Sequence, residues 1–196
     1  MSKVPKGWMD YSDVGNQVPG TRFISFKVPL KQSICWNTFR EDKRFWFTPD
    51  ILMEKVPKLR MIINLTNTDD GRYYTFKDFT DHSIEVHSLK CLGHGNIPQR
   101  NFVKRFYQLV DQFLKRASVT GDVDGLIGVH CTHGLNRTGY FICKYMVEMM
   151  GIDARRAIRA FEESRGHRII RQMYIDDIMM IQRNPQNNRD DAREQR

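Results

Sequence analysis

The chain has 196 residues and a formal net charge of +8. That length supports one domain with a good core rather than two. No run of about eighteen apolar residues is present, so no membrane-spanning helix is expected, and Met1-Ser2-Lys3-Val4-Pro5 lacks the apolar stretch of a secretory signal. A basic protein favours anionic partners. Cys35, Cys91, Cys131 and Cys143 show no paired metal-ligand spacing. Neither a disulfide framework nor a metal or other cofactor is therefore expected, and a reducing compartment would suit a reactive thiol.

Residues 1–20 are rich in Pro and Gly and read as an irregular leader, with Trp8 and Tyr11 available to pin it. The domain is expected over 21–182. From Phe23 apolar and polar residues alternate until Pro29, a strand pattern. Residues 31–48 read as a loop in which Phe45, Trp46 and Phe47 cover the core. Thr48 then caps a helix that opens on Pro49 and runs to about Val56. Strands are predicted at 59–65 and 84–89, separated by a polar loop that holds Asp69, Asp70 and Arg72. Phe102, Phe106, Leu109, Val110 and Phe113 recur at helical spacing and predict an amphipathic helix over 98–115. A polar loop is expected over 118–125.

An apolar run at 126–130 reads as a short buried strand, and 138–150 as a buried helix. Between them Gly134 supplies the freedom for a sharp turn. A loop feeding a helix N-terminus leaves converging N–H groups, which together with the helix dipole make an anion site. Arg137 adds a planar fork matched to two phosphate oxygens. Cys131 lies at the base of that cradle, where a thiol pKa of about 8.5 falls to roughly 3.5–7.5. Its thiolate would attack phosphorus, forming a phosphocysteine that water hydrolyses. The Thr138 hydroxyl is placed to donate to the departing sulfur, and His130 to order the loop. Gly151 then stops the helix, and Asp153 caps another over 154–163. Arg155, Arg156, Arg159, Arg165, Arg168 and Arg171 form a dense basic stretch, part of which should face an anionic partner. A last helix is expected over 172–182. The tail over 183–196 is polar and without aromatics, and disorder is expected there.

His130-Cys131-Thr132-His133-Gly134-Leu135-Asn136-Arg137-Thr138-Gly139 resembles the signature of the RNA 5′-triphosphatase branch of the cysteine (dual-specificity-like) phosphatase superfamily. The triphosphatase domains of metazoan capping enzymes carry that signature, as do phosphatases that interact with RNA and ribonucleoprotein. Asn64-Leu65-Thr66, Arg72-Tyr73-Tyr74 and Gly93-His94-Gly95 resemble the same branch. Trp8-Met9-Asp10-Tyr11, the stretch from Gly20 to Leu30, Leu135, Tyr140 and Arg165-Gly166-His167 are closer to the ribonucleoprotein-interacting members.

The expected fold is α/β, a single cysteine-phosphatase domain whose central, mostly parallel sheet is flanked by helices, with the site at the strand ends. The resemblance implies stepwise removal of the γ- and then the β-phosphate from RNA, leaving a 5′-monophosphate. A capping-type enzyme would stop at the diphosphate, and a dual-specificity protein phosphatase is a further alternative. Cys131, Arg137, Thr138 and His130 would be catalytic. Thr132, His133, Gly134, Leu135, Asn136 and Arg137 would bind phosphate, and Arg72, Lys90, His94, Arg168 and Arg171 are candidate RNA contacts. Protein phosphatases of this type carry a general-acid Asp upstream of the nucleophile, yet residues 82–110 contain no Asp. His94, Asp69 and Asp70 remain open as substitutes. Triphosphorylated RNA and ribonucleoprotein or RNA-processing proteins are the implied partners. A monomer in the nucleus, with the cytoplasm also allowed, is the expectation. No lysine nucleotidyl-transfer motif is apparent, so no guanylyltransferase is expected in this chain.

Overall fold

The computed structural model describes residues 3–69, 71–93 and 95–183. His94, Asp70 and nearly all of the expected tail therefore lie outside the described residues. Five strands form one sheet in the order β1-β2-β5-β3-β4: β1 (Val14–Gln17), β2 (Phe23–Phe26), β3 (Leu59–Asn64), β4 (Glu85–Ser88) and β5 (Leu126–His130). Only the β1–β2 pair is antiparallel. The expected mostly parallel α/β architecture is thus the observed one. β5 lies at the centre, with Phe26 and Asn64 in register with His130 on either side. The carboxyl ends of β2, β3, β4 and β5 consequently open at one edge of the sheet. That edge is where ligands bind in open parallel sheets.

Alternation along the strands divides the core. Met61, Ile63, Ile127 and Val129 face a cluster with α4 (Arg100–Thr120), α5 (Asn136–Glu148), α6 (Ala154–Arg165) and α7 (Gln172–Arg183). Ile62, Leu126 and Phe26 face α1 (Gln32–Phe39), α2 (Pro49–Lys55) and α3 (Lys77–Thr80), and an irregularity between Leu59 and Met61 turns Leu59 to the same side. Gly128 lies on the second face beside Phe26, where an added Cβ would come within 2.5 Å of that ring. Its missing side chain leaves room for the Phe26 ring, which stacks on His130 at 5.3 Å.

Several sequence expectations hold. Thr48 Oγ1 accepts from the Ile51 amide and Asp153 from that of Arg156. Others need correction. The 1–20 stretch is not wholly irregular: Trp8–Asp10 is a 3-10 turn and β1 joins the sheet edge. The 31–48 stretch contains α1 and a second 3-10 turn, Lys43–Phe45. Phe47 is buried as expected, but Phe45 is exposed. Residues 118–120 continue α4 because Ala117 packs into the core and the helix stops only at Gly121, whose φ is +74°. Likewise α5 begins two residues earlier than expected, at Asn136.

Candidate active site

The loop that joins β5 to α5 turns its carbonyl groups outward, and each finds a donor. His130 O accepts from Leu65 N at 2.8 Å and Thr132 O from Val28 N at 3.1 Å. Cys131 O lies 3.1 Å from His130 Nδ1. His133 O and Gly134 O each accept from the Arg165 guanidinium at 3.1 Å. A trans peptide carries its C=O and N–H on opposite sides. With five successive carbonyls tied outside, the intervening N–H groups are left for the inside of the loop, where they meet the N-terminus of α5. This arrangement is an anion-binding nest. Gly134 makes it possible: its φ is +69°, and a side chain there would collide with the Phe26 carbonyl. Gly134→Ala is therefore expected to destabilise the fold by about 3 kcal/mol, from positive-φ strain plus backbone displacement. A denaturant titration showing a loss below about 1 kcal/mol would contradict this geometry.

His130 is fully buried. A carbonyl can only accept, so Nδ1 must carry the proton that goes to Cys131 O. Nε2 is then the acceptor for the Tyr74 hydroxyl at 2.8 Å. Burial lowers the His130 pKa to about 4, so the ring is neutral at neutral pH. The folded pKa lies below the unfolded value of about 6.5. This contribution to stability is therefore complete above pH 6.5 and lost as the pH falls toward 4. It amounts to about 3 kcal/mol. Tyr74→Phe should alter the midpoint of that acid loss, measured by thermal melts across the interval. Identical melting profiles for both proteins would refute the role given to His130.

Burial alone would raise the Cys131 pKa. The Arg137 charge, the Thr138 hydroxyl and the Thr138 and Leu135 amides outweigh it and hold the thiol below its ordinary value. Thr138 Oγ1 is buried, and its hydroxyl is directed at the Cys131 sulfur. Arg137 Nη1 donates to Leu65 O at 2.7 Å and Cys91 O at 2.8 Å. It thereby holds the loops after β3 and β4 against the nest, and Gly93 sits against the guanidinium.

Several expected phosphate contacts have other duties. Asn136 Oδ1 accepts from the Ile170 and Arg171 amides, both at 2.9 Å. Its side chain anchors the α6–α7 connection rather than pointing into the nest. His133 Nε2 donates to Lys6 O, and Leu135 is buried. For these two the backbone, not the side chain, belongs to the nest. Arg72, on the loop after β3, lies over the Tyr73 ring at 5.3 Å, and Asp69 O accepts from its amide. Lys90 precedes Cys91 on the loop after β4. Arg168 and Arg171 sit on the connection held by Asn136, with Arg168 lining a groove between α6 and α7.

Arg165 corrects the reading of the basic stretch. It is 1 % exposed and cannot face RNA. Besides the two loop carbonyls, it donates to Ser12 Oγ and Ser12 O, each at 2.7 Å. Burial lowers its pKa to about 10, which leaves it charged at neutral pH. Sequence reasoning also missed Tyr74 as the partner of His130. Only the recurring Arg72-Tyr73-Tyr74 signal pointed near it.

A cysteine of lowered pKa, an arginine and a convergent amide nest at the carboxyl edge of a parallel sheet define a phosphatase of the cysteine type. The chain belongs to the dual-specificity phosphatase family: the model of the "Dual specificity phosphatase, catalytic domain" matches residues 48–184. It is 41 % identical over 179 residues to the RNA/RNP complex-1-interacting phosphatase of Homo sapiens, covering 89 % of this chain and 51 % of that protein. It is 33 % identical to the tyrosine-protein phosphatase of Autographa californica nuclear polyhedrosis virus, covering 90 % of this chain and 99 % of the viral one. The chain spans about half the length of the RNA/RNP complex-1-interacting relatives. Among solved structures, PTPMT1 shares the fold at a TM-score of 0.62 and 14 % identity, covering 92 % of this chain and 99 % of that one. A protein tyrosine phosphatase (putative) from Leishmania major does so at 0.59 and 22 %, covering 86 % and 95 %.

Proposed function

We propose that the protein is an RNA 5′-tri- and diphosphatase that removes the γ- and then the β-phosphate and leaves a 5′-monophosphate. The observation that carries this reading is the acid-free loop beside the nucleophile. The loop after β4 touches Arg137 through Cys91 O, and residues 82–110 contain no Asp. A tyrosine leaving group has a pKa of about 10 and needs a proton. A phosphate leaving group has a relevant pKa near 6 and departs as an anion. A loop after β4 that carries no Asp therefore suits phosphoanhydrides over phosphotyrosine. Relatives named as RNA/RNP complex-1-interacting phosphatases support the same substrate class.

In this reaction the Cys131 thiolate attacks the terminal phosphorus. The P–O bond to the next phosphate breaks, and that phosphate leaves with the electron pair. The loop amides and Arg137 hold the three equatorial oxygens through a loose transition state. Water then attacks the phosphocysteine and releases inorganic phosphate. The Thr138 proton meets the departing sulfur. Donors for the developing charge come from the backbone and Arg137, so these steps call for no metal.

The test is a short RNA with a labelled 5′-triphosphate, incubated in reductant. Diphosphate followed by monophosphate supports the reading. Diphosphate alone means a capping-type activity. Relatives named tyrosine-protein phosphatases favour a second reading, and phosphotyrosine peptide turnover exceeding that on RNA would replace the first with it.

A further inference from the structure

Residues 6–13 lie outside the matched family region, yet they are sewn to the phosphate nest. Trp8 is buried and donates to Val28 O at 2.9 Å, and the Val28 amide in turn donates to Thr132 O. Lys27 stacks on Trp8 at 3.6 Å, donates to Tyr11 O and pairs with Asp13 at 3.0 Å. Ser12 is gripped by Arg165, and its amide donates to His167 Nε2 at 3.0 Å. His133, two residues after Cys131, donates to Lys6 O at 2.9 Å.

These bonds bring three rings together. The Tyr11 ring lies 5.2 Å from that of His133, tilted by 50°, and 5.2 Å from that of His167, which it meets edge-on at 81°. All three are only partly buried. Burial holds both imidazoles below their ordinary pKa, so they are uncharged at neutral pH. Core packing does not require the cluster, because Tyr11 belongs to neither apolar cluster. The rings also stand on the nest itself: His133 is part of the loop, and Arg165, which holds the loop carbonyls, also holds Ser12 beside Tyr11.

We infer that Tyr11, His133 and His167 form a wall beside the phosphate nest that receives the first nucleobase of a 5′-polyphosphorylated RNA. This rests on the RNA reading above. Every base presents a π-face, so aromatic stacking is sequence-tolerant and adds binding without base-specific hydrogen bonds. A wall already fixed by the bonds of residues 6–13 requires no further ordering when the base arrives.

The experiment compares kcat/KM for a 5′-triphosphorylated dinucleotide with that for inorganic tripolyphosphate, which has no base. The ratio is measured in wild type, Tyr11→Ala and Tyr11→Phe, with thermal melts confirming folding. Tyr11→Ala is expected to lower the ratio about tenfold, within the range of one aromatic–base stack. The change should lie in KM, and Tyr11→Phe should restore the ratio because stacking does not need the hydroxyl. An equal fall on both substrates would show that Tyr11 merely supports the loop and would overturn the inference, as would an unchanged ratio. Wild type that cleaves tripolyphosphate but not the dinucleotide would overturn the RNA reading itself. Cleavage of the dinucleotide with no shift in the ratio would remove only the wall.

Discussion

Cys131→Ser should lower kcat on 5′-triphosphorylated RNA by at least about 10⁴, the scale on which removing an activated nucleophile acts. A serine hydroxyl is far harder to ionise than a thiol held below its ordinary pKa, and His130, the residue before it, is not free to take its proton. The His130 imidazole is fully committed, with Nδ1 donating to Cys131 O and Nε2 accepting from Tyr74. Arg137 is already a cation. The nest amides remain in the variant, and the sulfur whose ionisation the nest favours, and which would then oppose phosphate, is gone. RNA should therefore bind the variant at least as tightly as wild type. Single-turnover assays and an equilibrium titration read the two effects separately. Residual turnover within tenfold of wild type would rule out a phosphocysteine, whatever the substrate.

Arg165→Met should lower kcat/KM by about 10²–10³, although the residue touches no reacting atom. The substitution keeps a comparable volume and removes the donors to Ser12 O, His133 O and Gly134 O. Released carbonyls let the two peptides rotate, and a donor turned away from the nest is worth roughly 10²–10³ in rate. Stability should fall by about 2–4 kcal/mol, since the stranded carbonyls cost about 1–3 kcal/mol each and the loss of a buried charge offsets part of that. A merely structural role would leave the nucleophile's ionisation alone. Here the Arg165 charge also faces Cys131, so the pH midpoint of Cys131 alkylation should rise. Unchanged alkylation with unchanged kcat would refute the positioning role.

The legible and illegible parts of the molecule differ in kind. α1 was invisible because Ile34 and Cys35 are its only buried residues and are adjacent in sequence. No helical stripe forms, and Lys31 provides no side-chain cap. β1 is Val-Gly-Asn-Gln at a sheet edge, where no alternation is required. Arg165 looked like its arginine neighbours, since nothing local marks the one whose charge is buried. Asn136 likewise looked like a phosphate ligand because it sits in the signature.

Local sequence specifies the β5–loop–α5 unit, with Cys131 at its base and Arg137 at the helix start, and the parallel α/β class. Those features are written in contiguous residues, through hydrophobic period, a turn glycine and helix-start chemistry. Tertiary structure alone decided which side chains hold the nest open. Arg165 reaches back to Ser12, Tyr74 to His130, and Arg137 to Leu65 and Cys91, across separations of 153, 56, 72 and 46 residues. A buried polar group must find a partner wherever the fold brings one. That pairing is a property of the packed chain, and no local pattern encodes it.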